Sequence, residues 1–165
     1  MAARFRLLGA VAAFVVLLDQ ITKIHIDRTF ALYESLPVVP NFFAITYLRN
    51  KGAAFGILAD SSVRVPFFII VSLLAIAAIF WYFRQLQPGQ TGQQVGLSLI
   101  LGGAVGNLID RIRLGEVIDF LDVHWYQYHW PAFNVADSAI CVGVGLLLLC
   151  MWREERRLKV ERREG

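Results

Sequence analysis

Residues 65–83 read VPFFIIVSLLAIAAIFWYF, a run of nineteen residues without a charged side chain. An α-helix rises about 1.5 Å per residue, so this run can cross the roughly 30 Å hydrocarbon core of a bilayer. Over all 165 residues, 57% are hydrophobic and 18% are charged, against about 45–50% and about 25% in ordinary globular domains. The run therefore predicts a transmembrane helix in a membrane protein.

Three further apolar stretches have a length that suits a bilayer. The four predicted spans cover residues 5–26, 63–83, 93–112 and 132–152. For the first span a cleaved signal peptide is the alternative, but no small-x-small cleavage site follows it. Gly102 and Gly106 in the third span have the GxxxG spacing that lets a neighbouring helix approach closely. We expect one membrane-embedded domain over residues 1–165.

The distribution of cations predicts the topology. Nine of the 16 Lys and Arg residues lie in the two tails and the short loop after the second span. The positive-inside rule places these segments in the cytoplasm. Both termini, including the tail 153–165, are then cytoplasmic, and the longer loops 27–62 and 113–131 face outward. The cations form no nucleic-acid-binding stripe, so no nucleic-acid partner is expected.

The outer loops carry their own patterns. Residues 36–48 are rich in β-formers and predict a small extracytoplasmic sheet. Residues 124–131, HWYQYHWP, are typical of an interfacial aromatic belt. A metal site at His124 and His129 is disfavoured, since no carboxylate or cysteine stands at a convincing ligand spacing. The expected fold is all-α and polytopic, with four transmembrane helices, a small extracytoplasmic β-sheet and a short periplasmic helix or loop.

Four aspartates are the unusual polar residues of the chain. Asp19, Asp110 and Asp137 lie in or at the ends of predicted spans, and Asp119 follows the third span. A carboxylate in hydrocarbon costs roughly 2.5–3.5 kcal/mol on translocon scales. On the predicted topology all four lie toward the outer face, and pairing, a shallow depth or a function must offset this cost.

Two of these aspartates have nearby cations. Asp19 and Lys23 are four residues apart on one helix face, which predicts a structural ion pair. Asp110 is predicted to form a structural clasp with Arg111. Asp119 and Asp137 have no cation at helical spacing.

Two unpaired carboxyls at one depth predict an aspartic dyad, because one ionised carboxylate can activate water while a protonated partner polarises a peptide carbonyl. Such chemistry needs no metal or other cofactor. From spacing alone, the alternative is an ion or proton relay in a small transporter that uses the intramembrane carboxylates. A non-catalytic scaffold that packs through its glycines is a third class, but it leaves Asp119 and Asp137 unexplained.

Five segments together resemble the lipoprotein signal peptidase family, also called signal peptidase II. In chain order they are DQITK at 19–23, NKGAAFG at 50–56, GGAVGNLIDR at 102–111, VIDF at 117–120 and FNVAD at 133–137. The resemblance implies an aspartic endopeptidase of the bacterial inner membrane. Such an enzyme removes the signal peptide of a prolipoprotein just before its diacylglyceryl-modified cysteine.

The resemblance also assigns roles to individual residues. Asp119 and Asp137 match the catalytic pair. Motif positions that line the substrate and inhibitor site are matched by Asn50, Gly52, Asn107, Arg111, Asn134 and Ala136, and supporting positions by Asp19, Lys23 and Asp110. The cyclic peptide globomycin is implied as an inhibitor, and lipid-modified prolipoproteins and membrane lipid as partners of a monomer. Gly52 and Gly56 would let the covering segment approach the substrate closely or move as a lid.

Overall fold

The structure, a computed structural model, describes residues 2–52 and 63–164. Its four long helices are α1 (Ala2–Thr29), α2 (Arg64–Gln85), α3 (Thr91–Leu114) and α4 (Val135–Glu164). Each overlaps one predicted span and is long and apolar enough to cross a membrane, in α4 over Val135–Arg157. The predicted class, a polytopic helical membrane protein with a small sheet, is confirmed.

Helix α3 is the centre of the bundle and contacts the other three helices. Its glycines explain how closely the helices pack: a Cβ at Gly102 would lie 2.7 Å from Cβ of Val15 on α1. A Cβ at Gly103 would meet the carbonyl oxygen of Ala136 on α4. The GxxxG pattern thus marks the α1–α3 contact, and the adjacent glycine provides the α3–α4 contact.

The helices bury narrow faces and expose the rest of their apolar surface. In α1 the buried residues recur every three or four positions, namely Leu8, Ala12, Val15, Asp19, Lys23 and Ile26. On other faces of α1, Phe14, Leu17 and Ile21 are exposed. Exposed apolar side chains at this density suit hydrocarbon as the solvent, where they carry no hydrophobic penalty.

The sheet has four antiparallel strands in the order β1–β2–β3–β4. The strands are β1 (Ser35–Val39), β2 (Phe43–Asn50), β3 (Val117–Trp125) and β4 (Tyr128–His129). The first two fall in or near the predicted β-rich stretch. The sheet is larger than predicted, because the outer segment 113–131 contributes β3 and β4 and is more than an aromatic loop. The sequence VIDFLDVHW carries enough β-branched and aromatic residues to pair with β2.

The sheet lies at one end of the bundle. It is connected to the C-terminal ends of α1 and α3 and to the N-terminal ends of α2 and α4, so the chain termini lie at the opposite end. Side chains of Ile26, Tyr47, Ile118 and Phe120 form a buried cluster that joins α1 to β2 and β3. Residues 53–62, between β2 and α2, lie outside the described residues, and any periplasmic helix or loop there stays a prediction.

Tyr47 and Arg49 also tie the sheet to α1. The Tyr47 hydroxyl donates a hydrogen bond to Asp27 Oδ1, and Arg49 Nη2 lies 2.7 Å from the same oxygen. Arg49 Nε donates to the Tyr47 hydroxyl oxygen at 2.6 Å. These contacts fix β2, and therefore Asn50 at its end, relative to the helix bundle.

Candidate active site

The first turn of α4 positions one of the two unpaired aspartates. Asn134 immediately precedes the helix, and its Oδ1 accepts a hydrogen bond from the Asp137 backbone N–H at 2.9 Å. Asp137 Oδ2 in turn accepts from the Asn134 backbone N–H at 3.3 Å. This is the reciprocal geometry of a capping box, in which residues at the N-cap and N3 positions satisfy each other's backbone donors. The local sequence N-x-x-D therefore fixes the Asp137 carboxylate at the helix N-terminus, where the helix dipole favours a negative charge.

Strand β3 positions the other unpaired aspartate. Asp119 pairs in register with Leu48 of β2, and 2% of its surface is exposed. Its Oδ2 accepts a hydrogen bond from Asn50 Nδ2 at 2.8 Å, and its Oδ1 accepts one from Asn134 Nδ2 at 2.7 Å. Burial, together with the charge of Asp137, raises the pKa of Asp119 to about 6 despite these two donors. A carboxyl with this pKa can exchange a proton near neutral pH.

Two asparagines connect the carboxyls. Asn134 Nδ2, which donates to Asp119, also lies 3.3 Å from Asn107 Oδ1. Asn107 Nδ2 donates to Asp137 Oδ1 at 2.7 Å. Within residues 2–52 and 63–164, the recorded partners of Asp119 and Asp137 are amides and no cation is paired with either carboxylate.

A buried ionic cluster lies directly behind these amides. Lys23 Nζ lies 2.9 Å from Asp19 Oδ2 and 2.9 Å from Asp110 Oδ2, and all three side chains are at most 1% exposed. The same Nζ donates to Asn107 Oδ1 at 2.9 Å, which fixes the orientation of that amide toward Asp137. The predicted pair of Asp19 and Lys23 is therefore confirmed.

The predicted clasp between Asp110 and Arg111 is wrong. Asp110 pairs with Lys23 of α1 instead, and its Oδ2 also accepts from the Ile118 backbone N–H at 3.2 Å. Neighbouring residues on a helix point about 100° apart, so they do not face each other. Asp110 thereby ties α3 both to α1 and to the start of β3.

Gln20 is a member of this cluster that residue-by-residue analysis missed. Its Nε2 donates to Asp110 Oδ1 at 3.0 Å, and lies 3.2 Å from both Asp19 Oδ2 and the Gly106 carbonyl oxygen. A Cβ at Gly106 would lie 2.6 Å from Asp19 Oδ2, so glycine is needed for the carboxylate to fit. The signal for Gln20 was its place beside Asp19 within the DQITK segment.

Gly52 orients Asn50 through a tight turn. Its φ of +77° is in the left-handed region, and its N–H donates to Asn50 Oδ1 at 2.7 Å. This contact leaves the Asn50 Nδ2 free to point at Asp119. Residues 53–56, including Gly56 of the predicted lid, lie outside the described residues.

Comparison with known protein families identifies the family of this chain. The model of a family described as "Signal peptidase (SPase) II" matches residues 11–153. The chain belongs to the signal peptidase II family. It is therefore a membrane-embedded protease, and an aspartic type is consistent with the family.

Sequence relatives support membership of the signal peptidase II family. A "Lipoprotein signal peptidase" of Syntrophotalea carbinolica is 63% identical over 152 residues, covering 92% of this chain and 94% of the relative. One of Geobacter metallireducens is 62% identical over 153 residues, covering 93% and 94%. The alignments span nearly the full length of both proteins, so the similarity includes all four helices and the sheet.

A solved structure agrees with the fold of this signal peptidase II. A protein described as a bacterial membrane enzyme superposes with a TM-score of 0.80 at 38% identity, covering 90% of this chain and 88% of the other. A second, similarly described, gives 0.80 at 40% identity, with 87% and 91% covered.

Two predicted substrate-site residues differ in their surroundings. The Arg111 guanidinium carbon lies 5.5 Å from the ring centroid of Phe68, and its charge interacts with Asp137, Asp110 and Asp119. Ala136 is fully buried, and its N–H donates to Asp19 Oδ1 at 2.9 Å. Arg111 is thus placed to act near the two carboxyls, whereas Ala136 packs between helices.

The expectation that no carboxylate accompanies the outer histidines is wrong. Asp122 lies 2.9 Å from His129 Nδ1 and 3.6 Å from His124 Nδ1. Because this segment is a strand rather than a loop, residues 122 and 124 share one face of the sheet. Asp119 points to the opposite side of the pleat from Asp122, three residues away.

Proposed function

We propose that this signal peptidase II removes the signal peptide of prolipoproteins by cutting just before the diacylglyceryl-modified cysteine, with Asp119 and Asp137 as the catalytic pair. The names of the relatives support the substrate class. The observation that carries the catalytic assignment is the shared amide network, in which Asn134 contacts both carboxylates and neither has a paired cation among the described residues.

The two carboxyls have different roles in this proposal. Asp137 accepts hydrogen bonds from the Asn107 amide and from a backbone N–H at a helix N-terminus, which hold its carboxyl group in place. Asp119 is buried, and its pKa is raised to about 6. We therefore assign the shared proton to Asp119 and the general-base role to Asp137.

The reaction is hydrolysis of one peptide bond. Asp137 takes a proton from water as the water oxygen bonds to the scissile carbonyl carbon, while protonated Asp119 donates a hydrogen bond to the carbonyl oxygen. The resulting tetrahedral intermediate collapses when a proton passes from the dyad to the leaving nitrogen. The products are the carboxyl end of the signal peptide and the free amino group of the lipid-modified cysteine, and the dyad regains its single proton.

Asn134 and Arg111 position the dyad and the substrate. Asn134 holds the Asp119 carboxylate through its side-chain Nδ2 and the Asp137 carboxylate through its backbone N–H, so it sets their separation. Arg111 lies near the same charges and carries donors that suit a substrate carbonyl or a lipid headgroup oxygen. Asn50 donates to Asp119 from the sheet side, and the Gly52 N–H orients the Asn50 amide.

The location of the site supports a membrane-surface reaction. The dyad lies at the sheet end of the bundle, opposite the chain termini with their many cations. By the positive-inside rule, the termini are cytoplasmic and the dyad is near the periplasmic face of the bacterial inner membrane. A lipid-anchored cysteine presents its peptide bond at this depth of the membrane. We expect a monomer of the enzyme to be sufficient for cleavage.

The transporter alternative fits the structure poorly. Between the aspartates and the terminal end, the described core contains an apolar cluster of Leu8, Ala12, Ile79, Phe83, Leu86, Leu97 and Leu101. An ion or proton relay needs a polar path to the cytoplasmic face. Asp19 and Asp110, which such a relay would use, are instead both held in ion pairs with the buried Lys23.

The proposed function is tested by cleavage of a diacylglyceryl-modified prolipoprotein by the purified protein in detergent. We expect cleavage that needs the lipid modification, persists with a chelator and is blocked by globomycin. An unlipidated substrate is the matched control. Equal cleavage of both substrates would contradict the assigned specificity, and no cleavage by folded protein would contradict the function.

The pH profile tests the role of Asp119. The active form carries a proton on Asp119, so kcat/KM of the free enzyme will fall as pH rises through about 6. Asn50 donates to this carboxylate and favours its ionised form. Asn50→Ala will therefore raise the pKa of Asp119 and move the alkaline limb to higher pH.

The measurement is kcat/KM from pH 5 to 9 for the wild type and Asn50→Ala. Lys51→Ala is the control, since it changes the exposed residue that follows Asn50 and removes no donor to Asp119. An alkaline limb that stays at the same pH in Asn50→Ala, or moves downward, would contradict the assignment of the proton to Asp119.

A further inference from the structure

Asp122, His124 and His129 converge on the outer part of the sheet, away from the proposed dyad. Each offers one ligand atom, and the three atoms lie within 4.8 Å of one another. The register of β3 and β4 places His124 directly opposite His129. Asp122 is two residues before His124 on β3, so the pleat directs both side chains to one face.

The contacts within this cluster leave one polar atom unsatisfied. His129 Nδ1 lies 2.9 Å and 3.0 Å from the two oxygens of Asp122. The two imidazoles stack with their centroids 4.6 Å apart and their planes 19° apart. His124 Nδ1 is buried and has no hydrogen-bond partner among the described residues, although Asp122 Oδ2 is 3.6 Å away. A buried polar atom without a partner is uncommon and calls for an explanation.

We propose that Asp122, His124 and His129 form a binding site for a divalent transition metal, with Zn²⁺ as the ion that the donors favour. Two imidazoles and one carboxylate are a common zinc ligand set that leaves a fourth position for water. Imidazole ligands disfavour Mg²⁺ and Ca²⁺, which prefer oxygen. A bound cation would give His124 Nδ1 a partner, and the negative charge of Asp122 would attract the ion.

The geometry requires a small adjustment. Tetrahedral zinc with bonds of about 2.0–2.1 Å places its ligand atoms ~3.3 Å apart. The longest separation must therefore shrink by up to about 1.5 Å, and the stacked imidazoles must rotate so that one nitrogen of each faces the ion. The backbone positions are already set by the paired strands.

The metal would be structural rather than part of peptide hydrolysis. Strand β4 consists of two residues and is held to β3 at His124 and Trp125. A metal bridging both strands would close this hairpin and stabilise the sheet that carries Asp119. The prediction is greater thermal stability with metal, whereas the proposed dyad works without it.

The test uses the full chain purified without a polyhistidine tag, stripped with chelator and titrated with ZnCl₂ by calorimetry. We expect one Zn²⁺ per chain with a Kd of about 1 μM or tighter. Zinc at a hundredfold excess over Kd should raise Tm by roughly 5–10 °C. MgCl₂ should neither bind stoichiometrically nor raise Tm.

Variants locate the ion. His129→Ala and Asp122→Asn should each weaken zinc binding at least about tenfold. The His129 side chain is 53% exposed, so its removal should not unfold the protein. The third histidine of the chain, His25 on α1, provides the control, and His25→Ala should bind zinc like the wild type.

Two results would overturn the proposal. One is folded wild-type protein that binds no stoichiometric zinc. The other is zinc binding that is unchanged in folded His129→Ala and Asp122→Asn. Since peptide cleavage is measured separately with chelator present, failure of the metal site leaves the proposed protease function standing.

Discussion

Asp119→Asn and Asp137→Asn will each lower kcat for prolipoprotein cleavage by at least about 10³-fold, since each removes one half of general acid–base catalysis. An amide at position 137 cannot take a proton from water, and an amide at position 119 cannot pass one to the leaving nitrogen. Expression and membrane insertion should stay near wild-type levels, because both substitutions keep the side-chain shape. Single-turnover cleavage of the lipid-modified substrate measures the effect.

Glu116→Gln is the matched control for this loss. It makes the same chemical change three residues before Asp119, at the junction of α3 and β3. We expect its cleavage rate to lie within a factor of about three of the wild type, as for a change that leaves transition-state contacts intact. Folded Asp119→Asn and Asp137→Asn proteins with near-normal rates would remove both residues from the mechanism.

Lys23→Met will produce the largest loss of stability. It keeps the length of the side chain but leaves Asp19 and Asp110, at most 1% exposed, without their shared cation. Removal of one partner from a buried ionic cluster costs about 3–5 kcal/mol. For a chain of this size, that corresponds to a Tm lower by roughly 6–20 °C in detergent. Activity should also fall, because Asn107 loses the donor that orients it.

Lys159→Ala is the control that tests whether an exposed ion pair contributes to Tm as the buried cluster does. Lys159 also pairs with an acid at helical spacing, Glu155, but its side chain is 68% exposed. Water already solvates both charges, so its Tm should match the wild type. Adding Asp110→Asn to Lys23→Met should recover part of the lost Tm by removing one unpaired buried charge. Equal Tm values for Lys23→Met and Lys159→Ala would show that the buried cluster does not stabilise the fold.

Much of the fold could be predicted because its signals are local. Uninterrupted apolar runs predict spans, because a bilayer requires each backbone polar group to be satisfied within a helix. The 3.6-residue period places Lys23 on the same helix face as Asp19. Asn134 stands three residues before Asp137 in the sequence, which is the spacing that a capping box requires.

The sheet was only partly predictable because pairing of strands is not local. The segment 117–125 mixes carboxylates with β-branched residues, and it becomes a strand by pairing with β2, more than sixty residues earlier in the chain. The same long-range pairing places Asn50 beside Asp119. Without that register, His124 and Asp122 could not be assigned to one face.

The sequence by itself determined the membrane class, the four spans, the lack of a cation at helical spacing from Asp119 and Asp137 and, through its motifs, the family. Only the tertiary structure decided which groups surround those aspartates. It replaced the expected partner of Asp110, Arg111, by Lys23, and it placed Asn134 between Asp119 and Asp137. The physical reason is that a buried charge is stabilised by whatever polar group packing brings within about 3 Å, and residues distant in sequence supply those groups.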